Sequence, residues 1–369
     1  MTTPLIRLQQ LGQSPWHDNI RRQLLTSGTL RKMVEDGDIT GLTSNPTIFE
    51  QAIADSSDYD ADLRRLAAEG KNADQIFDAL AIDDIRNAAD VLAPVFERTG
   101  GKDGYVSIEV APRLANDTPS TIREARRLWS TVNRPNLMVK IPATAAGVPA
   151  IEQSIADGLN INVTLIFSLD RYADVMDAYI SGLETYAADA NADLSRVASV
   201  GSFFVSRVDT EVDRRLEAIG SDEALALRGK AAVAQAQLAY KQFTEAFSGP
   251  RWDALAARGA RVQRPLWAST GTKNKAYSDV LYVEQLIGPD TVNTLTEATI
   301  DAFEDHGTLR RTVDADFAGA ERVWSELAAV GVDMDDVSAR LEREGVDAFT
   351  KSFDELIEAL QTKVDELRN

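Results

Sequence analysis

The chain of 369 residues contains no cysteine and only two histidines, His17 and His306. Without cysteine it cannot form disulfides, a thiolate nucleophile, an iron–sulfur cluster or a cysteine-ligated zinc site. Two histidines are too few for a histidine-rich metal site, and a Ser-His-Asp triad would have to use one of them. We assign neither histidine a role. Several classes of enzyme are therefore excluded before any motif is considered.

Other absences concern membranes, nucleotides and nucleic acids. No apolar run is long enough to span a bilayer, and the start MTTPLIRLQQLGQSPW lacks the features of a signal peptide. Neither GxGxxG nor a P-loop occurs. The formal net charge of -19 argues against nucleic acid or an anionic membrane as a partner. We expect a cytoplasmic protein with no membrane or nucleic-acid partner.

Short β-like runs alternate with amphipathic helical stretches over most of the chain. Eight strands separated by helices imply parallel pairing, which predicts an α/β fold, the (β/α)₈ or TIM barrel, as a single domain over 1–369. An open doubly wound sheet is the alternative, and it usually carries a glycine-rich phosphate turn. The predicted strands are 14–18, 39–44, 105–110, 137–141, 161–167, 197–202, 264–268 and 291–295.

From about Leu309 the pattern is purely helical. The segment FTKSFDELIEALQTKVDEL at 349–367 carries an apolar stripe at helical spacing. We expect 309–369 to form a helical extension of the same domain, packed on the barrel.

The run LMVKIPATAAG at 137–147 places Lys140 within an apolar strand. Because side chains alternate along a strand, Leu137, Val139 and Ile141 face one way and Lys140 faces the other. In INVTLIFS, positions 161, 163, 165 and 167 are likewise expected to share the aliphatic face. In a barrel the polar faces point inward and meet at the carboxyl ends of the strands. One mouth would then collect Asn45, Glu109, Lys140, Asn162 and Thr164.

Several candidate residues also have a structural interpretation. Asp18 precedes the helical stretch NIRRQLL and would serve as a helix N-cap, and Asn45 before Pro46 is a common turn residue. Glu109 would neutralise a nearby cation, and Lys140 would be the partner in a structural ion pair. The functional interpretation of Lys140 is that a lysine in an apolar site gives up its proton and attacks a carbonyl to form a Schiff base. Glu109 would then transfer protons or hold a water molecule while the Schiff base forms.

Five segments resemble the transaldolase family, in the family's order. They are GLTSNPTIF at 41–49, VSIEVAPRLANDT at 106–118, LMVKIPATAAGVPAIEQSI at 137–155, INVTLIF at 161–167 and SFFVSR at 202–207. The resemblance extends from Asp18 to about Asn293. It implies a class I transaldolase of the pentose phosphate pathway, which moves a dihydroxyacetone unit from sedoheptulose 7-phosphate to glyceraldehyde 3-phosphate. The products would be erythrose 4-phosphate and fructose 6-phosphate.

The resemblance also implies roles for individual residues. Lys140 matches the family's Schiff-base lysine and Asp18 its acid–base aspartate, while Glu109 and Thr164 match the pair that handles a catalytic water. The residues that match substrate-binding positions are Asn45 and Asn162 for the dihydroxyacetone moiety, Ser202 and Phe204 for the pocket wall, and Arg207 and Ser269 for the phosphate. No metal and no organic cofactor is implied, because the iminium itself is the electron sink.

One departure concerns the second phosphate-binding position. Many members of the family have an arginine two residues after the serine, whereas ASTGTKN supplies Lys273 two residues further on. A lysine neutralises phosphate without the bidentate fork of arginine. The expected partners are phosphorylated sugars, and the protein is expected to be a homodimer or a monomer. Two alternatives stay open: another class I aldolase on the same barrel, such as a fructose 6-phosphate aldolase, and a non-catalytic sugar-phosphate-binding barrel.

Overall fold

The computed structural model describes residues 3–54 and 56–368. Eight parallel strands form a closed barrel in chain order, and β8 pairs with β1. This confirms the predicted (β/α)₈ barrel. The strands are β1 (Gln13–His17), β2 (Gly41–Leu42), β3 (Val106–Glu109), β4 (Leu137–Pro142), β5 (Ile161–Ile166), β6 (Ser199–Phe204), β7 (Arg264–Ala268) and β8 (Thr291–Leu295).

Helices surround the barrel and follow its strands along the chain. They are α1 (Pro4–Gln10), α2 (Arg22–Thr26), α3 (Thr29–Asp36), α4 (Pro46–Ala54), α5 (Asp60–Ala68), α6 (Ala73–Arg98), α7 (Thr118–Val132), α8 (Gly147–Ala156), α9 (Leu169–Tyr186), α10 (Ser206–Ile219), α11 (Asp222–Leu225), α12 (Ala231–Ala246), α13 (Pro250–Ala256), α14 (Leu281–Gln285), α15 (Glu297–His306), α16 (Phe317–Ala329) and α17 (Met334–Arg368). Short 3₁₀ helices lie at Pro112–Leu114 and Leu194–Arg196.

The aliphatic faces of the strands are sealed from water. Leu137, Val139 and Ile141 of β4 are fully buried. Burying each such side chain contributes about 1.5–3 kcal/mol. The opposite face of the same strand carries Lys140. The alternation of apolar and polar positions therefore fixes which side chains reach the inside of the barrel.

Strand β2 is shorter than the predicted span 39–44. It has ladder pairs only at Gly41 and Leu42, because the chain beyond them turns toward the barrel mouth. The hydroxyl of Ser44 donates to the carbonyl of Ser107 at 2.8 Å, and α4 begins two residues later. At Gly41 a Cβ atom would lie 2.5 Å from the ring of Trp16. Only glycine leaves room there for an indole inside the barrel.

The predicted alternation fails near the end of β5. The register with β6 shifts between Val163 and Ile166, and Leu165 has φ +59°. A bulge of this kind adds one residue and turns the following side chains to other directions. Ile166 therefore takes the place opposite Phe203 that the alternation gave to Leu165. The expectation that 165 and 167 share the outer face with 161 and 163 was wrong.

The C-terminal part of the chain is helical, but its first helix begins at Phe317 rather than near 309. Helix α17 packs beside α4 and over the carboxyl end of the barrel: Ser338 Oγ donates to the carbonyl of Phe167 at 2.9 Å. Ser352 Oγ lies 2.8 Å from Thr47 Oγ1. This confirms helices packed on the barrel after β8. Within residues 3–54 and 56–368, none of the helices has the length and apolar character required to cross a membrane.

Candidate active site

Lys140 lies inside the barrel between Glu109 and Asn162. These three residues are direct neighbours across β3, β4 and β5, so their side chains point to the same face. The Nζ atom of Lys140 is 3.4 Å from Oε2 of Glu109, and the two side chains are only 8% and 4% exposed. Nζ also donates to the carbonyl of Ser44 at 3.3 Å. The ammonium is thus paired in a site that is shielded from bulk water.

The carboxyl group of Glu109 is the most unusual electrostatic feature of the site. Burial raises its pKa above the ordinary value, the charge of Lys140 opposes this rise, and the charge of Asp18 adds to it. Neither of its oxygens accepts a hydrogen bond of good geometry from any residue that the structure describes. A buried carboxyl with a raised pKa holds its proton more readily than an exposed one, which suits a group that donates a proton.

Asn162 is held by hydrogen bonds within the protein. Its Nδ2 donates to Ser107 Oγ at 3.0 Å, and its Oδ1 accepts from Ser202 Oγ at 2.7 Å. One N–H of the amide remains for another acceptor. Thr164, two residues along β5, has a buried hydroxyl without a partner in the described part of the chain. The inner face therefore contains both oriented and uncommitted polar groups.

Asp18 follows β1 and lies beside β2. Its Oδ1 accepts a hydrogen bond of 2.7 Å from the hydroxyl of Thr43. Helix α2 starts at Arg22 with Arg21 as its N-cap, so the interpretation of Asp18 as a helix cap was wrong. The turn interpretation of Asn45 holds in part, because its Oδ1 accepts from the amide of Ile48 at 3.0 Å.

Two positively charged side chains, Arg207 and Lys273, lie near Lys140 at the mouth of the barrel. Arg207 belongs to the first turn of α10, and burial lowers its pKa. Its guanidinium lies 5.4 Å from the ring centroid of Phe204. Ser269, at φ +57° after β7, has its Oγ 2.9 Å from that of Ser206. Lys273 is exposed at the rim. These groups form a local cationic patch on an acidic protein.

A cavity of about 190 Å³ connects most of these side chains, and a wider space of about 780 Å³ lies outside it. Two predicted site residues, Glu109 and Asn162, do not line the inner cavity of about 190 Å³. They lie on either side of Lys140 on the neighbouring strands. In the described ranges no cluster of three acidic or histidine side chains is suited to a metal ion. The predicted site residues that line the inner cavity are Asp18, Asn45, Lys140, Thr164, Ser202, Phe204, Arg207, Ser269 and Lys273.

The barrel and its interior lysine agree with a comparison of the whole sequence. The sequence model of the transaldolase/fructose-6-phosphate aldolase family matches residues 15–360. The chain belongs to this family. The prediction of a transferase of the transaldolase family is thereby confirmed.

Curated members of the family resemble the chain over its full length. The transaldolase of Mycobacterium ulcerans strain Agy99 is 52% identical over 365 residues, which are 98% of each chain. That of Thermobifida fusca strain YX is 53% identical over 359 residues, 97% of each chain. That of Acidothermus cellulolyticus is 52% identical over 369 residues, covering 100% of this chain and 99% of its relative.

Sequence reasoning missed several residues that line the inner cavity, among them Thr43 and Phe349. Thr43, which bonds Asp18, is two positions before Asn45, and that alternation was a usable signal. Phe349 of α17 also lines the cavity, with its ring centroid 5.7 Å from Lys140 Nζ. Its place in an apolar stripe indicated only that it packs against something.

Proposed function

We propose that the protein catalyses the transaldolase reaction, moving a dihydroxyacetone unit from sedoheptulose 7-phosphate to glyceraldehyde 3-phosphate. Erythrose 4-phosphate and fructose 6-phosphate are the products. Family membership and the full-length likeness to transaldolases support this assignment. The observation that carries it is the position of Lys140 Nζ, which lies in the barrel 3.4 Å from a buried carboxyl group.

The first step joins Lys140 to the ketone. The deprotonated amine attacks C2 of the ketose, the carbinolamine loses its hydroxyl as water, and a protonated Schiff base remains. Glu109 is proposed to supply the proton for the departing hydroxyl, since its raised pKa favours the protonated form. Thr164, whose hydroxyl has no other partner among the described residues, is proposed to orient that water.

The second step breaks the bond between C3 and C4. Asp18 takes the proton of the C4 hydroxyl, an aldose leaves, and the electron pair of the broken bond enters the iminium to give a neutral enamine. The hydrogen bond from Thr43 fixes one oxygen of Asp18 and leaves the other for substrate. The enamine then adds to the aldehyde carbon of the acceptor, and hydrolysis restores Lys140.

The remaining predicted residues are proposed to hold the sugar phosphate. Asn45 and Asn162 would bind the dihydroxyacetone hydroxyls, with Ser202 orienting Asn162 and Phe204 forming part of the wall. Arg207 and Ser269 would bind the phosphate, with Lys273 at the rim. A charged hydrogen bond to phosphate is stronger in a partly buried site, which suits Arg207. This cluster would offset the net charge of -19 locally.

Borohydride reduction in the presence of fructose 6-phosphate tests the proposal. We expect a covalent adduct on the peptide that contains Lys140, detected by mass mapping, and none in Lys140→Ala. Lys241→Ala is the matched control, because Lys241 is an exposed lysine of α12 paired with Glu321. An unmodified Lys140 after reduction would refute the Schiff base. Asp18→Asn is expected to form the adduct and to cleave it slowly.

A coupled assay with fructose 6-phosphate, with and without erythrose 4-phosphate, separates the alternatives. Strict dependence on the acceptor indicates transfer, whereas release of glyceraldehyde 3-phosphate without acceptor indicates a fructose 6-phosphate aldolase. Binding without any adduct would indicate a non-catalytic barrel. A cytoplasmic location, a monomeric or homodimeric state and a single domain with an extension over 309–369 also stay predictions.

A further inference from the structure

Helix α17 lies close against the end of β5 at Gly345. A Cβ atom at this position would lie 3.1 Å from Leu165 Cδ2 and 3.4 Å from Phe167 Cε2. Leu165 belongs to the bulged end of β5, and Phe167 follows the strand directly. The positive φ of Leu165 and the glycine of α17 are therefore complementary: the bulge turns the leucine toward the helix, and the glycine makes room for it.

Phe349 is one helical turn beyond Gly345, so it lies on the same face of α17. It is 7% exposed, and it lines both the inner cavity and the wider space outside it. Its ring centroid is 5.7 Å from Lys140 Nζ. The next residue on this face, Phe353, packs edge-on against Phe77 at 5.6 Å and lines another cavity, which Glu109 and Asn45 also line. Phe349 alone of this pair faces the lysine.

We propose that Phe349 determines specificity for transfer over release, by keeping water away from the enamine bound to Lys140. This inference rests on the proposed function. A bound enamine has two fates. It adds to an aldehyde, which is transfer, or its C3 carbon takes the proton that Asp18 gained during cleavage, relayed by a water.

In the second fate the protonated species is the iminium of dihydroxyacetone. One water then adds to its C2 carbon, the carbon–nitrogen bond breaks, and dihydroxyacetone leaves the regenerated amine. This water balances the one lost when the Schiff base formed, so the net reaction is cleavage of fructose 6-phosphate into dihydroxyacetone and glyceraldehyde 3-phosphate. An apolar ring at the boundary of the inner cavity limits the access of water that this route requires.

The test compares Phe349→Ala, Phe349→Leu and Phe353→Ala in the full-length protein. The readout is the ratio of acceptor-independent dihydroxyacetone release to transfer onto erythrose 4-phosphate, both from fructose 6-phosphate. We expect Phe349→Ala to raise this ratio about tenfold, because its small side chain admits water to a site from which it was excluded. Phe349→Leu should keep the ratio within about twofold, since its apolar cover is retained.

Phe353→Ala is the matched control, because it removes the same atoms from the same helix at a position that is equally buried. A comparable rise in this control would assign the effect to a general disturbance of α17 or of the cavity beside Glu109, and would overturn the inference. An unchanged ratio in Phe349→Ala would overturn it as well. If Phe349→Ala does not fold, Phe349→Val takes its place, with a smaller rise expected and an unchanged ratio again contradicting the inference.

Borohydride trapping separates this inference from the proposed function. If the unaltered protein forms no adduct with fructose 6-phosphate, the Schiff-base proposal fails. If the adduct forms in all variants and the ratio does not move, only the role of Phe349 fails.

Discussion

The buried polar residues at the carboxyl end of the barrel fall into two groups. Asn162 and Ser202 bond each other, and Thr43 bonds Asp18. The hydroxyl of Thr164 and the carboxyl of Glu109 lack such bonds within the described ranges. Burying a polar group without a hydrogen bond costs free energy, so native interiors rarely keep one without a use. This distribution suits a site whose last hydrogen bonds are made to a substrate.

His17 is a buried residue outside the proposed chemistry, and it should make the protein sensitive to acid. Burial lowers its pKa below 6.5, and neither ring nitrogen has a hydrogen-bond partner in the described structure. Because the pKa of His17 is lower in the folded protein, the unfolded chain binds a proton at pH values at which the folded protein does not. The free energy of unfolding should therefore fall as the pH drops below 6.5. Urea titrations of the unaltered protein and His17→Gln at pH 7 and 5 measure this loss.

His306 is the control of opposite sign. It is exposed, and its hydrogen bonds to Asp279 and Asp305 raise its pKa. Its contribution to stability should be present below pH 6.5 and be lost as the pH rises through the raised value. His306→Gln should therefore lose stability relative to the unaltered protein mainly at low pH. Equal pH responses of the two variants would contradict this interpretation.

Sequence reasoning predicted the position of Lys140 because that inference needs only local information. Strand alternation points its side chain to the face of β4 opposite that of Val139, and parallel pairing of β3 and β4 brings Glu109 beside it. Phe349 could not be predicted in the same way. It is 209 positions later in the chain than Lys140, and only the packing of α17 on the barrel brings them together. Periodicity identifies a buried face of a helix without identifying what covers it.

At the scale of elements, α10 links the cationic patch to the loop after β7. Asp209 accepts from the amide of Ala232 at 2.7 Å and from the hydroxyl of Tyr282 at 2.8 Å. One turn later, Asp213 Oδ2 accepts from Tyr277 at 2.6 Å, in the loop that carries Lys273. The helix that presents Arg207 is therefore anchored to α12, α14 and the Lys273 loop through buried carboxylates.

Asp209 should make this anchor dependent on pH. Burial raises its pKa to about 6 from 3.8, so the folded protein holds a proton that the unfolded chain has released. The free energy of unfolding then falls as the pH rises from about 4 to 6, by about 3 kcal/mol for this one group. The free energy of unfolding of Asp209→Asn, measured by urea titration, should therefore increase relative to that of the unaltered protein as the pH rises from 5 to 7.5.

Glu211, two residues further along α10, provides the comparison. Hydrogen bonds from Arg214 lower its pKa from 4.5 to about 2, so its contribution is complete above about pH 4.5 and is lost as the pH falls from there to about 2. The stability difference between the unaltered protein and Glu211→Gln should therefore be nearly constant from pH 5.5 to 7.5. A difference for Asp209→Asn that does not change over this range would contradict the raised pKa.

The elements themselves were largely predictable, although β6 is Ser199–Phe204 rather than the predicted 197–202. The errors in β2 and β5 have a common cause. Strands β7 and β8 have the predicted bounds, since each is a continuous run that is buried along its whole length. The errors in β2 and β5 occur where the chain leaves regular pairing at the mouth. A bulge at Leu165 depends on what packs against it, here α17, and the alternation of apolar and polar residues along the strand does not predict that contact.

For the whole molecule, the contacts of α17 predict unfolding in one step. Its residues bond the chain just after β5 through Ser338, α4 through Ser352 and α10 through a 2.6 Å ion pair between Asp336 and Arg215. Urea unfolding followed by far-UV circular dichroism and by tryptophan fluorescence should give coincident transitions. Trp324→Phe, which removes the tryptophan of α16, should leave the midpoint of the fluorescence curve unchanged. An earlier fluorescence transition that disappears in this variant would show that the tail unfolds separately.

The order of synthesis gives the position of α17 a further meaning. The ribosome makes all eight strands, and with them Lys140, before it makes α17. Because chains begin to fold from the N-terminal side during translation, a nascent barrel would have its mouth open to water until α17 emerged.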